Sequence, residues 1–179
     1  MVFNAPGKAD QTKVLATLDQ AQSLKGKWTL AFPDGWGAPR QMTVKRLRPW
    51  CDLLPKGEGR AFSGTATYTT TFQWDKEVNE VPCWLDLGEV DMIATVTLNG
   101  KRLRTLWCVP YAVDLSSALR KGKNELTIEV TSTWFNRLVY DAGLPEAERK
   151  TWTISGPKSD ASLRKSGLMG PVVLKYGEY

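Results

Sequence analysis

Residues 134–141 combine, within eight positions, the side-chain types that bind sugars: an aromatic plane, an amide, a guanidinium and a carboxylate. A sugar ring packs its C–H face on an aromatic plane, while the polar groups bind its hydroxyls. Two further aromatic residues flank a Cys-Val-Pro turn and could join this cluster. The predicted carbohydrate-binding residues are therefore Trp107, Tyr111, Trp134, Asn136, Arg137 and Asp141.

The same residues also have a purely structural interpretation. Trp107 and Trp134 could fill the core, and residues 136–141 could form a corner that is hydrogen-bonded internally. Trp36 and Trp50 fall in irregular segments, where they could be exposed, and the sequence does not show which tryptophans are. At the level of the sequence, the binding and the structural interpretations both stay open.

Other chemistry finds less support in the sequence. The chain contains no histidine, so a Ser-His or Cys-His nucleophilic pair within it is excluded. Its three cysteines, Cys51, Cys83 and Cys108, lack CxxC spacing and are expected to be small buried residues, with one disulfide as the alternative. Glycosidases use paired carboxylates, but no carboxylate here stands in a recognisable acid/base motif, so no catalytic residue is predicted.

Composition limits the class of protein. A chain of 179 residues with 42% hydrophobic content suits one domain with a substantial core. The net charge of +5 comes with only short basic clusters, which does not favour a nucleic-acid partner. No apolar run is long enough to cross a membrane, and the N-terminus lacks the hydrophobic region of a signal peptide.

Alternating apolar residues predict the strands that must position the candidate site. Residues 90–130 contain three such runs, and Asn99-Gly100 joins the first two as a type I′ hairpin turn. Residues 26–32, 65–74 and 81–87 alternate in the same way, with Trp28, Tyr68, Phe72 and Trp74 in the core. The pattern predicts an all-β fold, a two-sheet antiparallel β-sandwich (jelly roll) with a short helical turn at 115–119.

The remaining segments are less regular. Residues 1–23 are expected to be a leader or linker with weak helical turns, and residues 24–179 the sandwich. Residues 134–141 are ambiguous between strand and helix. Residues 144–166 lack periodicity, and a loop of that length is usually functional or interfacial.

Several motifs carry a resemblance to a known family. FSGTATYTTTF, WLDLGEV, VTLNGKRLRTLWCVPYAVDL and LRKGKNELTIEVTSTWFNRL resemble the sugar-binding, galactose-binding-domain-like domain of family 2 glycoside hydrolases. GWGAP, TWFNRL, Asp141 with Leu144-Pro145, and the closing SGLMGPV resemble more closely the C-terminal domain of family 106 α-L-rhamnosidases. The resemblance covers about residues 24–176.

The resemblance implies a non-catalytic accessory module of a bacterial glycoside hydrolase with an α-L-rhamnosidase-like parent. Such a module would bind a plant or microbial polysaccharide or oligosaccharide, or brace the catalytic domain of the same parent chain. The alternative is a structural docking sandwich without a ligand. Jelly rolls of this kind often bind a structural calcium ion, although no loop here has matching Asp/Asn spacing. The parent protein is expected to be secreted or periplasmic.

Overall fold

The computed structural model of the chain describes residues 17–78 and 81–178, and in them two antiparallel sheets form a β-sandwich. Two short helices, α1 (Trp50–Leu53) and α2 (Phe135–Ala142), accompany the sheets. Short 3-10 turns occur at Gly59–Ala61 and Glu146–Glu148. The strands are β1 (Thr17–Ser23), β2 (Trp28–Ala31), β3 (Gln41–Val44), β4 (Thr65–Trp74), β5 (Cys83–Asp86), β6 (Glu89–Val90), β7 (Ile93–Leu98), β8 (Lys101–Leu106), β9 (Ala112–Asp114), β10 (Gly122–Thr131), β11 (Leu168–Gly170) and β12 (Val173–Glu178).

The larger sheet has six strands in the order β3-β2-β4-β10-β7-β8. Its centre is the pair of ten-residue strands β4 and β10, which are hydrogen-bonded along their whole length from Thr65↔Thr131 to Trp74↔Gly122. Threonines alternate with apolar residues along β4, and this pattern favours a strand with one buried face. The predicted Asn99-Gly100 turn joins β7 to β8, and both residues adopt the positive φ angles that a type I′ turn requires.

The second sheet has four strands in the order β1-β12-β5-β9, and β11 pairs separately with β6. The first and last described strands are neighbours in this sheet, because β12 lies between β1 and β5. Residues 17–23, expected to belong to a leader with helical turns, form β1 in this sheet. The first 16 residues of that expected leader lie outside the described residues.

The core lies between the two sheets, and the predicted fold class is confirmed. Trp28, Tyr68, Phe72 and Trp74 are all buried, as their strand positions predicted. Trp50, whose exposure the sequence left open, is completely buried on α1. Its indole Nε1 donates a hydrogen bond of 2.5 Å to the Tyr68 hydroxyl, which draws this helix into the core.

Three further expectations from the sequence can be compared with the structure. The segment 134–141, ambiguous between strand and helix in the sequence, is helical: Trp134 is the N-cap of α2 and the residues after it lie in the helix. Residues 144–166 are irregular apart from one 3-10 turn, as expected. Cys51 and Cys83 are buried thiols, but Cys108, expected to be buried as well, is exposed in the loop after β8. Within the described residues no helix is suited to span a membrane.

Candidate functional site: the loop end of the sandwich

Strand register brings the predicted site residues to one end of the sandwich. Thr131, at the end of β10, lies opposite both Thr65 and Ile93, and Ala94 lies opposite Leu106 near the end of β8. The segment after β10, which contains α2, therefore leaves the sheet at the same end as the loops before β7 and after β8. We call this the loop end, and the Asn99-Gly100 turn lies at the opposite end.

Arg137 is the centre of a buried ionic network at the loop end. Its guanidinium Nη1 lies 2.5 Å from Glu58 Oε1, and its Nη2 lies 2.7 Å from Asp141 Oδ1. The second contact is a close ion pair rather than an aligned hydrogen bond. The rings of Trp36 and Tyr140 each lie 5.3 Å from the guanidinium carbon, so the cation is also enclosed by aromatic faces.

Asp141 connects this network to the long loop that follows α2. Its Oδ2 accepts hydrogen bonds from the Thr151 backbone N–H (2.8 Å) and hydroxyl (2.6 Å), and from the Lys150 backbone N–H (3.1 Å). Burial alone would raise the pKa of the Asp141 carboxyl, but the contacts with Arg137 and Thr151 outweigh burial and lower that pKa. The carboxylate is therefore ionised, with Oδ2 hydrogen-bonded to the loop and Oδ1 ion-paired with Arg137.

Asn136 fixes another part of the same loop. Its amide Nδ2 donates to the Arg164 carbonyl, and its Oδ1 accepts from the Arg164 N–H, both at 2.8 Å. The Nδ2 group also lies 3.3 Å from the Ser166 hydroxyl. The polar groups of Asn136, Arg137 and Asp141 therefore face inward and hold the loop to α2, which matches the structural interpretation of this segment.

Glu58, which the sequence did not single out, joins two cations of the network. Its Oε1 lies 2.5 Å from Arg137 Nη1 and 2.6 Å from Lys150 Nζ. The hydrogen bonds from Lys150 and Arg137 lower the pKa of the Glu58 carboxyl. Lys150 Nζ also donates to the Gly35 carbonyl at 2.5 Å, so three separate segments of the chain meet here.

The aromatic members of the predicted set differ in their surroundings. Trp134 is half-exposed and packs on Trp36, with ring centroids 5.1 Å apart. Tyr111 is buried, and its hydroxyl donates a hydrogen bond of 2.7 Å to the Met92 carbonyl. Trp107 is 77% exposed. The structure thus brings Asn136, Arg137 and Asp141 into one network, with Trp134 beside it and the Trp107–Tyr111 turn as a separate feature.

A cluster of exposed apolar residues surrounds that turn. The register of β7 and β8 places Ile93 opposite Trp107, since their neighbours Ala94 and Leu106 are paired. Met92 is held beside them through Tyr111, and Val109 is 79% exposed in the same loop. We call Met92, Ile93, Trp107 and Val109 the apolar end surface.

A pocket of about 560 Å³ opens between α2 and the loop that follows it. Its wall carries one indole, two threonines and four charged side chains, a mixture that suits a polar ligand with an apolar face. Apart from Asp141, these residues were not among the predicted binding residues, although a long loop without periodicity was a signal for function. The lining includes Asp141, Glu146, Arg149, Lys150, Thr151, Trp152 and Thr153.

Among residues 17–78 and 81–178, no three His, Cys, Asp or Glu side chains are grouped so that they could hold a metal ion.

Comparison with known proteins defines the family. The model of the glycosyl hydrolase 2 galactose-binding domain-like family matches residues 61–169, which is more than half of the chain. A curated protein of Formosa agariphila, named "Putative beta-glucuronidase", is 33% identical over 94% of this chain and 17% of its own length. The chain thus spans about one sixth of this relative.

Solved structures give the same result. The rhamnosidase from Novosphingobium sp. PP1Y is 38% identical and superposes with a TM-score of 0.79, over 94% of this chain and 16% of that one. The β-glucuronidase from Ruminococcus gnavus shares the fold, with a TM-score of 0.64 and 21% identity over 89% of this chain and 29% of that one. The resemblance predicted from the motifs is confirmed, and the chain belongs to the glycosyl hydrolase 2 galactose-binding domain-like family.

Proposed function

We propose that this chain is a non-catalytic accessory module of a longer glycoside hydrolase and that it docks on the catalytic domain of the same protein. Two relatives support a longer parent, because the match covers 94% of this chain but only 17% and 16% of them. The two carboxylates of the Arg137 network support a non-catalytic role. Glu58 and Asp141 are both held in ion pairs, which leaves neither free to transfer a proton.

The observation that carries the docking role is the apolar end surface. Trp107 and Val109 are each more than three-quarters exposed, and Met92 and Ile93 add further apolar area beside them. Exposed apolar residues grouped at one end of a sandwich are typical of a contact with another protein surface, where Trp often supplies a large share of the binding energy. The side chains of Met92, Ile93 and Val109 offer no hydrogen bond to sugar hydroxyls, so this surface, which also carries the Trp107 indole, suits a protein better than a glycan.

The docking role is tested by mixing this chain with the separately produced remainder of its parent protein. We expect a complex in calorimetry, and Trp107→Ser should weaken it at least tenfold, since interface tryptophans are frequent hot spots. Trp152→Ser is the matched control, because that indole is similarly exposed but lies outside the apolar end surface. Docking through this surface is wrong if Trp107→Ser binds as tightly as the wild type.

Glycan binding is the second candidate function, and Trp134 favours it. Its indole packs on Trp36 at an interplanar angle of 60°. Because the indole is half-exposed, part of its aromatic surface is open to a ligand at the loop end. Titration with rhamnose-containing and galactose-containing oligosaccharides tests this role, with Trp134→Ala as the variant. Loss of binding with an unchanged melting temperature supports the glycan role; a large drop in stability together with no sugar binding at millimolar concentration supports a structural one.

A further inference from the structure

The pocket between α2 and the following loop has the side chains of a sugar subsite, and Asp141 is the one predicted binding residue in its described lining. We propose that it binds one neutral pyranose ring of a glycan, with the ring stacked on Trp152 and neighbouring hydroxyls bound by Glu146 and Arg149. The inference rests on the glycan-binding role given above as the second candidate function. It does not depend on docking through the apolar end surface.

Trp152 provides the aromatic plane. Its side chain is 81% exposed and lines the pocket, so an indole face is available to a ligand. The backbone beside it is fixed, because the Thr151 N–H and hydroxyl and the Lys150 N–H all donate to the buried Asp141 carboxylate. A platform that is held in place before binding loses less entropy when a ligand arrives.

Glu146 and Arg149 provide the polar contacts. Both are exposed and line the pocket, and neither has an ion-pair partner among the residues that the structure describes. The Arg149 Nε group donates a hydrogen bond of 2.9 Å to the Leu144 carbonyl, which orients the guanidinium and leaves its terminal nitrogens for a ligand. A carboxylate that accepts and a guanidinium that donates are complementary to adjacent sugar hydroxyls.

The charge balance of the pocket favours a neutral ring. Asp141 is neutralised by Arg137, and Lys150 is neutralised by Glu58. The two charges that remain, on Glu146 and Arg149, have opposite signs. The carboxylate of a uronic acid would be attracted by Arg149 and repelled by Glu146. A carboxylate on the sugar should therefore add no net binding affinity. The pocket volume of about 560 Å³ lies within the range of small-ligand sites.

The experiment is a titration of the full chain with two matched series of oligosaccharides. One ring is a neutral hexose in the first series and the corresponding uronic acid in the second. Nuclear magnetic resonance can follow the indole N–H signals of the eight tryptophans separately. We expect the neutral series to shift the Trp152 signal in a saturable manner. The uronic acid series should bind no more tightly.

Variants assign the contacts. Trp152→Ala should abolish the saturable shifts in the nuclear magnetic resonance signals of the other pocket residues. Glu146→Gln and Arg149→Gln should each weaken binding about tenfold, since each removes a charge-assisted hydrogen bond. Arg104→Gln is the matched control, because Arg104 is exposed on β8 and does not line the pocket. All variants should keep the wild-type melting temperature.

The outcomes separate the inference from the roles on which it rests. Tighter binding of the uronic acid series would overturn the neutral class but leave a glycan role in place. Saturable shifts at Trp134 and not at Trp152 would place the glycan outside this pocket and overturn the subsite. No shift with any sugar at millimolar concentration would overturn both the subsite and the glycan role, whereas docking is measured independently.

Discussion

Arg137 and Asp141 lie one helical turn apart on α2, and Arg137 Nη2 is 2.7 Å from Asp141 Oδ1 although both side chains are almost completely buried. Two charges in such a place are stable only when each is compensated. Glu58 supplies the second partner of Arg137, and residues 150 and 151 supply the donors for Asp141. The pair therefore connects α2 to the segments on both sides of it.

Asp141→Ala should destabilise the fold by about 3–5 kcal/mol, because it leaves the buried Arg137 guanidinium short of a counter-charge and two loop N–H groups without an acceptor. Urea unfolding measures the loss. Asp34→Ala is the control, since it breaks the exposed pair with Arg40 and should change stability little. Equal effects of the two variants would show that burial of the network adds nothing.

Stability should fall as the solution becomes acidic. The pKa values of the Asp141 and Glu58 carboxyls are lowered in the folded chain, so their contribution is present above their ordinary pKa values of about 4 and is lost as pH falls through the folded values. Urea midpoints between pH 7 and pH 3 measure this loss. Asp141→Asn removes one titrating group and should make the decline shallower.

The contribution of Asp91 to stability should change with pH in the opposite direction, so Asp91 serves as the control for that experiment. Burial raises the pKa of its carboxyl, although Ser166 and Arg164 partly oppose the effect. Its contribution to stability therefore increases as pH falls through the raised value, and Asp91→Asn should make the acid decline steeper. The same slope for Asp91→Asn and Asp141→Asn would contradict these assignments.

The strands were predictable because their signal is local. Apolar residues alternate along β4, β7 and β10, and each alternation depends only on neighbouring positions. The network around Arg137 was not predictable in the same way, because its partner Glu58 lies 79 positions earlier in the chain. One local signal was available: Arg137 and Asp141 are four residues apart, which is the spacing of an ion pair on a helix.

The tryptophans show why exposure could not be derived from residue type. Trp50 and Trp107 both fall outside strands, yet the first is completely buried and the second is exposed. Trp50 packs edge-on against Phe32 and Phe62 in the core, and the Tyr68 hydroxyl, on a strand 18 positions away, accepts its indole N–H. Trp107 has no comparable acceptor among the described residues. Sequence periodicity contains no information about such long-range partners.

Tyr68→Phe should destabilise the fold by about 2–4 kcal/mol although it removes only one oxygen atom. The buried hydroxyl accepts hydrogen bonds from Trp50 Nε1 at 2.5 Å and from the Leu168 N–H at 3.0 Å, and both donors would lose their acceptor. Denaturant unfolding measures the change. Tyr140→Phe is the control, since its hydroxyl has no hydrogen-bond partner among residues 17–78 and 81–178, and a similar loss there would contradict the explanation.

The same hydroxyl should resist ionisation. Burial raises the pKa of Tyr68 to about 12, even though its two hydrogen bonds act in the opposite direction. Gly167 packs against this group, and a Cβ there would lie 2.7 Å from the Tyr68 oxygen and 2.6 Å from Trp50 Nε1. Ultraviolet titration should therefore show one tyrosine that ionises last, and Gly167→Ala should lower the melting temperature.

At the opposite end of the sandwich, Asn99 combines turn geometry with a side-chain network. Its φ of +52° suits the hairpin turn. Its Nδ2 donates to the Ala118 carbonyl and to Asn124 Oδ1, each at 2.8 Å, and its Oδ1 accepts from the Glu125 N–H at 2.9 Å. The turn is thereby joined to the loop before β10, a role that the Asn-Gly motif alone did not predict.

Two substitutions separate these contributions. Asn99→Gly keeps the positive φ but removes the network, so it should cost about 2 kcal/mol. Asn99→Ala removes the network and also strains the backbone, so it should cost about 1 kcal/mol more. Urea unfolding gives both values. If Asn99→Gly were as stable as the wild type, the hairpin geometry alone would explain this residue; if Ala and Gly were equal, the turn would not require a positive φ.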